Sequence, residues 1–353
     1  MRIGIDISQI VYQTGVSRYT AELVKNLLKI DRENEYYFYA GSCHQRQFLQ
    51  DFFDQIKTNK TTLKLNWITP KLADIFWNKL NLFTPTDIDI FHASNWSLPK
   101  TKSKLITTIH DLAFLKYPKT LPPYLVAVHT NYLQRAKKYA DRIITVSQST
   151  KKDLVNYGIS EAKISVIYEA ASPIFKPVNP SVTKTKYGLA KPYFLSVGTL
   201  EPRKNITRLI KAYLSIKTDL QLIIVGKFGW GETYDNHSGI KFIGFVPDED
   251  LVGLYSGAKA FIYPSLYEGF GLPVLEALSC GCSVITSNCS SLPEVGGKAA
   301  LYVDPENINS ISQAMTAVLK LNLREKSLKQ AKQFSWEKTA RETLKVYQEV
   351  VKC

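Results

Sequence analysis

Short apolar runs, each the length of one strand and most of them followed by a longer helix-forming stretch, alternate along this chain in two series separated by a proline-punctuated interval. That alternation is the pattern of parallel sheets with helices on both faces, and it constrains the fold more than any other feature. In the first series, strands are expected at 2–8, 36–40, 63–68, 88–94, 105–110, 142–147 and 164–169, with helices at 16–28, 122–140 and 149–157. Ser149 is the expected cap of the last helix. Pro173, Pro177, Pro180 and Pro192 then break a polar, lysine-rich stretch. After it, strands are expected at 193–197, 220–225, 241–245, 260–264 and 283–286, with a helix at 205–216 and a last one at 334–351. With 353 residues and 45% apolar content the chain can build two cores. The expectation is α/β: two doubly wound Rossmann-like domains, with strand C-terminal ends facing a central cleft, where open α/β sheets bind ligands. The expected bounds are 1–172 for the first domain, 173–191 for a linker, 192–333 for the second domain and 334–353 for a closing helix.

Nothing approaches a membrane span, since the longest apolar runs, such as Leu222-Ile223-Ile224-Val225, are strand-length. Met1 to Ile7 carries charges within its apolar run and reads as a first strand, not a signal peptide, so the protein is expected in the cytoplasm. Five cysteines agree with a reducing compartment. Cys280, Cys282 and Cys289 lack the paired spacing of a zinc module and read as buried thiols. The net charge of +14 points to an anionic partner, yet it is spread: 23 basic against 15 acidic side chains in residues 1–175, and 22 against 16 in 176–353. Local concentrations occur at Lys100, Lys102 and Lys104, and at Arg135, Lys137, Lys138 and Arg142. They read either as solvated surface or as contacts to an anionic membrane face or a pyrophosphate-bearing lipid.

The chemistry concentrates in Tyr263-Pro264-Ser265-Leu266-Tyr267-Glu268-Gly269-Phe270-Gly271-Leu272-Pro273-Val274-Leu275-Glu276-Ala277. Pro273 suits a first helical turn, and Gly269 and Gly271 let the backbone approach a ligand. A helix N-terminus offers N–H donors to an anion, while Glu268 and Glu276 can accept hydrogen bonds from hydroxyls on either side of it. A sugar, a diphosphate and a second sugar in a row describe a nucleotide sugar. An ordinary loop-to-helix junction with a solvated Glu is the other reading of the pair alone. Upstream, Gly198-Thr199-Leu200-Glu201-Pro202-Arg203-Lys204-Asn205 follows a strand and opens a helix, with Asn205 as its expected cap. Two adjacent cations there match the charge of a departing diphosphate.

The spacing from Glu268 to Glu276 inside Glu-Gly-Phe-Gly-Leu-Pro-x-x-Glu-Ala resembles the donor-site motif of retaining family 4 glycosyltransferases of GT-B fold. The resemblance runs over nearly the whole chain and is specific mainly in residues 193–305. It implies that Arg203 and Lys204 hold the donor pyrophosphate, Glu268 the transferring sugar and Glu276 the ribose. Gly269, Phe270, Gly271 and Leu272 lie in the same motif, and the Gly244-Phe245-Val246-Pro247 segment, with Val246, resembles the cradle for the base. Gly15 and Val16 match the place of a loop over the phosphate, although the single glycine departs from the pair seen in many relatives and suits a plain turn equally. His110 matches a histidine set against the donor sugar, with a structural His as the other reading; Asp111 would orient His110 or bind acceptor. Glu169-Ala170 stands where many relatives have Asn-Gly and receives no function. In GT-B proteins the last helix crosses back to the first domain, and the same is expected here.

The resemblance implies a hexosyltransferase acting without cofactor or metal. Its partners are a nucleotide-sugar donor and a saccharide or lipid-linked saccharide acceptor. The motif is closest to bacterial surface-polysaccharide mannosyltransferases using GDP-mannose, with UDP-glucose and UDP-N-acetylhexosamine open. A doubly wound NAD(P) oxidoreductase would need G-x-G-x-x-G after a strand, and the run from Gly226 to Gly231 has the wrong spacing. Nucleic-acid binding is suggested by charge alone and finds no recognised module. Asp87-Ile88-Asp89 has the letters of a D-x-D metal site but opens a strand, and Asp248-Glu249-Asp250 heads a helix, where acids suit the dipole. Trp77 and Trp96 are candidates for stacking on acceptor sugar, against core packing.

Overall fold

The computed structural model describes residues 1–12, 14–41, 45–66, 87–93, 98–99, 101–231, 234–235 and 237–352. Its contacts divide the chain into two compact units, Met1–Glu169 with Trp336–Cys353, and Ala170–Ser335. Each unit is built on a parallel sheet. The first contains β1 (Arg2–Asp6), β2 (Glu35–Gly41), β3 (Thr61–Asn66), β4 (Ile90–Ala93), β5 (Lys104–Ile109), β6 (Arg142–Thr145) and β7 (Ile164–Val166), in the order β3-β2-β1-β4-β5-β6-β7. The second contains β8 (Tyr193–Val197), β9 (Gln221–Val225), β10 (Ile240–Gly244), β11 (Ala260–Tyr263), β12 (Val284–Ser287) and β13 (Ala300–Val303), in the order β10-β9-β8-β11-β12-β13. Both are doubly wound parallel sheets, as expected.

The strands read as continuous apolar runs because helices cover both faces. Tyr193, Phe194 and Leu195 of β8 are all fully buried although alternate residues face opposite ways. In each sheet the order reverses at one point, β1/β4 in the first and β8/β11 in the second. Such a point leaves a crevice at the strand C-termini, where open α/β sheets take ligands.

The strands expected from sequence end within three residues of their expected bounds, β13 is not among them, and one shift has a consequence at β6. That strand stops at Thr145, which releases Ser147 to act as the cap in place of Ser149: its Oγ accepts the Thr150 N–H at 3.0 Å, and the helix runs Gln148–Asn156. The interval 173–191 contains a short helix, Ser181–Lys186, whose Thr183 lies against Gly253 of the Asp248–Gly257 helix. The Trp336–Lys352 helix packs on the Gly15–Ile30 helix of the first unit, and Thr339 Oγ1 donates to Tyr168 O at 2.7 Å. Among the described residues no helix is long and apolar enough to cross a membrane.

The loops after β8 and β9 extend the sheet beyond its strands. Gly198 N–H donates to Val225 O at 2.9 Å, and Leu200 N–H to Lys227 O at 2.9 Å. Gly226 sits at φ +146 with its missing Cβ pointing at the carbonyl of Gly198. Gly226→Ala therefore combines backbone strain with a main-chain clash and should cost about 3 kcal/mol. The check is the urea midpoint, which should fall at unchanged slope; an unaltered midpoint would contradict this packing.

Candidate functional site

The β8/β11 switch point gathers the charged residues of the second unit. After β8 the chain makes a short turn, Pro202–Lys204, and Leu266 N–H from the loop after β11 donates to Arg203 O at 2.9 Å. Asn205 follows in the left-handed region, φ 61, and its side chain does not cap the Ile206–Leu214 helix as expected. Its Nδ2 donates instead to Pro264 O at 2.9 Å and Pro305 O at 2.6 Å, so it staples three loops. An amide with two donors suits that geometry better than a cap, which uses only its oxygen.

Glu268 lies at the centre of this arrangement and is buried. Its Oε1 accepts from Lys204 Nζ at 2.7 Å, Ser265 Oγ at 2.6 Å and Tyr263 OH at 2.8 Å. Its Oε2 faces Arg203 Nη1 at 2.9 Å. Arg203 also reaches Glu201 Oε1 at 2.5 Å and Tyr267 O at 2.6 Å, and the Lys204 ammonium donates to Tyr263 OH at 2.6 Å. Burial opposes ionisation of Glu268, but Arg203, Lys204 and the hydrogen bonds from Lys204 and Ser265 outweigh it and hold its pKa down at about 2. Burial and the neighbouring Arg203 pull Lys204 below the ordinary lysine range, with Glu268 and Glu201 pulling back. The two cations thus sit among acidic partners, Glu201 and Glu268. Two carboxylates neutralise them formally, because a buried charge without a partner is costly.

The backbone of this loop is held from β12. Ser290 Oγ accepts the Glu268 N–H at 3.0 Å, and Ser291 Oγ donates to Glu268 O at 2.9 Å and Phe270 O at 2.7 Å. Gly271 at φ +112 is the cap position of the Leu272–Ser279 helix, with Pro273 in its first turn. Gly269 is buried in the same loop. Phe270 is buried edge-on to Phe334, and Leu272 is also buried, so any ligand contact from these two residues is through the backbone. Glu276 is buried one turn on, where its Oε2 accepts from Tyr255 OH at 3.1 Å. Val246 is buried ahead of the Asp248–Gly257 helix, whose first turn carries Asp248, Glu249 and Asp250.

In the first unit, His110 follows β5 and its Nδ1 lies 2.9 Å from Glu169 Oε1. The Tyr19 ring stands edge-on to it, centroids 4.7 Å apart. Beneath runs a buried polar chain: Tyr19 OH to Thr108 Oγ1 at 3.1 Å, Thr108 Oγ1 to His92 Nε2 at 2.9 Å, and His92 Nδ1 to Tyr347 OH at 2.6 Å. Burial, aided by His110, pushes the His92 pKa down to about 3, so His92 is neutral. Tyr19, His92, Thr108 and His110 line a cavity of roughly 20 Å³ with Asp6 and Val16, room for about one water. Gly15 opens the Gly15–Ile30 helix and is no plain turn residue; the N–H of Thr14 before it donates to Ser17 Oγ at 3.1 Å. Asp111 caps the backbone, accepting the Ala113 N–H at 2.8 Å.

Each unit thus gathers its own share of the expected residues: Arg203, Lys204 and Glu268 in direct contact in the second, His110 near the start of the Gly15–Ile30 helix in the first. Sequence reasoning passed over Glu201, Tyr263, Ser265, Tyr255 and Ser290. A Glu two residues before Arg203 was a signal for the first; the others are polar residues whose contacts cross between loops. It also left Glu169 without a role. Trp77, Trp96 and Lys100 lie outside the described residues. Asp89 binds the Arg2 N–H at 2.7 Å, at the start of β1. Among the described residues no group of three or more His, Cys, Asp or Glu is arranged to hold a metal ion. Cys280 and Cys282 are buried free thiols, and Cys289 is half-buried.

Comparison with known proteins gives two family matches: Glycosyltransferase Family 4 over residues 13–172 and Glycosyl transferases group 1 over residues 183–334. O-antigen chain mannosyltransferase B of Escherichia coli is 35% identical, the alignment covering 95% of this chain and 96% of that protein. O-antigen chain mannosyltransferase RfbU of Salmonella typhimurium is 30% identical over 72% of this chain and 69% of its own. Among solved structures, sucrose-phosphate synthase from Thermosynechococcus elongatus matches with a TM-score of 0.76 over 99% of both chains at 19% identity, a likeness of fold.

The depressed Glu268 pKa fixes a pH dependence. A carboxylate lowered from 4.5 to about 2 contributes stability that is fully present above about pH 4.5 and is lost as pH falls towards 2. That contribution is about 3 kcal/mol at neutral pH. Urea midpoints measured across this range should fall steeply in the wild type. Glu268→Gln should start lower by a similar amount and fall less; parallel curves would show that the buried pairing is not what stabilises the loop.

Proposed function

Because this chain belongs to glycosyltransferase family 4, with a group 1 transferase match over its second half, we propose that it transfers mannose from GDP-mannose to a saccharide or lipid-linked saccharide acceptor in polysaccharide assembly, with retention at the anomeric carbon. The family makes the chain a hexosyltransferase; the choice of mannose rests on its likeness to two O-antigen mannosyltransferases. The observation that carries the site reading is the Glu268–Arg203–Lys204 cluster at the β8/β11 switch point.

In this reading the donor diphosphate lies against Arg203 and Lys204. Among the described residues the Lys204 ammonium meets two acceptors, Tyr263 OH and Glu268 Oε1, which leaves its third donor for a phosphate oxygen. Glu268 aims both cations, and its Oε2, with Arg203 as its one partner among the described residues, accepts from a hydroxyl of the transferring hexose. Glu276 takes the ribose and His110 a second hydroxyl of the hexose. Gly15 opens the Gly15–Ile30 helix and is assigned to the donor phosphate, and Val246, buried in its segment, is assigned to the base. As the bond from the anomeric carbon to the diphosphate breaks, positive charge grows on the sugar and negative charge on the phosphate. The acceptor oxygen attacks from the same face and passes its proton to a phosphate oxygen. Fixed cations stabilise that leaving group without a metal. The reaction is assigned to the cytoplasm, at the inner face of an anionic membrane, where the exposed Lys137 and Lys138 on the Pro123–Tyr139 helix suit a peripheral contact.

Released nucleotide measured across a panel of nucleotide sugars should be greatest with GDP-mannose; faster turnover of a UDP-sugar overturns the donor assignment. Glu276→Ala should raise donor KM more than it lowers kcat, as expected for a contact equal in ground and transition states. Activity should persist in excess chelator and collapse in Arg203→Ala and Lys204→Ala. Loss in chelator with recovery in manganese or magnesium would count against metal-free stabilisation.

A further inference from the structure

We propose that Glu169 is a positioning residue that fixes His110 in one tautomer, proton on Nδ1, so that Nε2 is presented as a hydrogen-bond acceptor to a hydroxyl of the transferring sugar. The inference rests on the reading of the site as a donor-sugar site. Glu169 is the last residue of the first unit before the chain passes into the second. It is buried, and among the described residues its one hydrogen-bond partner is His110, at 2.9 Å. An ionised carboxylate can only accept, so the proton of that hydrogen bond belongs to the imidazole. A neutral ring carries a single N–H, and placing it on Nδ1 leaves the lone pair on Nε2.

The surroundings of the ring agree with a held orientation. The Tyr19 ring braces it edge-on at 4.7 Å and is itself tied through its hydroxyl to Thr108. Thr108 is tied in turn to the neutral His92, which Tyr347 holds from the closing helix. Thr150 Oγ1 donates to the backbone carbonyl of His110 at 3.3 Å. Among the described residues Nε2 of His110 has no hydrogen-bond partner, although the ring is largely buried. A ring fixed by a carboxylate, an aromatic edge and a backbone contact, with its other nitrogen unpartnered, is built to meet a ligand. A hexose hydroxyl is the donor that this acceptor suits, and an amide in place of Glu169 could accept the same proton without the charge.

The test uses the full chain with ¹⁵N-labelled histidine, His110 being assigned by comparison with His110→Asn. In the wild type without substrate, Nδ1 should show the shift of a protonated nitrogen and Nε2 that of an unprotonated one. Glu169→Met should lose this bias, and Glu169→Gln should largely restore it. With whichever nucleotide sugar turns over, Glu169→Met should lower kcat roughly 10- to 100-fold, the scale on which partners that orient a histidine act. Donor KM should change less, Glu169→Gln should recover most of the loss, and Glu169→Met should cost little more in a His110→Asn background. A wild-type ring protonated on Nε2, or a Glu169→Met enzyme with unchanged kcat, overturns the proposal. The tautomer is read without donor, so an error in the donor identity leaves that measurement intact and shows only in the nucleotide-sugar panel.

Discussion

The second unit turns on one buried carboxylate. Glu268 is removed from water, and an ionised group there is tolerated only with charges and hydrogen bonds that replace its solvation. Arg203 and Lys204 arrive from the loop after β8, Ser265 from the loop after β11, and Ser290 and Ser291 bind the adjoining backbone from beyond β12. Three loops that share no strand are therefore fixed by the needs of one side chain. The cations in turn are held in place by the carboxylates of Glu201 and Glu268.

Sheet order explains why this meeting occurs where it does. β8 and β11 are neighbours in space though far apart in sequence, and the reversal of strand order between them opens the crevice at their C-terminal ends. Close main-chain packing shapes its floor: the glycines at 198 and 226 let the loops after β8 and β9 run side by side. The first sheet has the same kind of reversal at β1/β4, with Asp6 and the start of the Gly15–Ile30 helix beside it.

The polar residues of the first unit follow a different electrostatic logic. Where Glu268 keeps its charge by pairing, His92 gives up its own: with only hydroxyl partners in a buried place, it is neutral. The chain from Tyr347 through His92 and Thr108 to Tyr19 joins the C-terminal helix to the ring that braces His110. A helix added at the end of the sequence thus supports a residue at the end of β5.

Much of the architecture was legible in the sequence because it depends on local properties. Strand-length apolar runs, helix-forming stretches between them and Pro273 within a first turn follow from backbone sterics and burial, and the elements formed within a few residues of their expected places. The Glu268 to Glu276 spacing and the Arg203-Lys204 pair marked the charged residues, and the family match agrees with the resemblance they carried. What sequence could not supply was partnership. That Asn205 staples loops and does not cap, that Ser147 replaces Ser149, and that Glu201 and Glu268 neutralise the two cations depend on contacts between segments up to about a hundred residues apart. Glu169 is the clearest case, since only folding brings it to His110, 59 positions away. Local chemistry decided which groups were present; which of them share a proton or a charge was settled only when the sheets set their strand ends side by side.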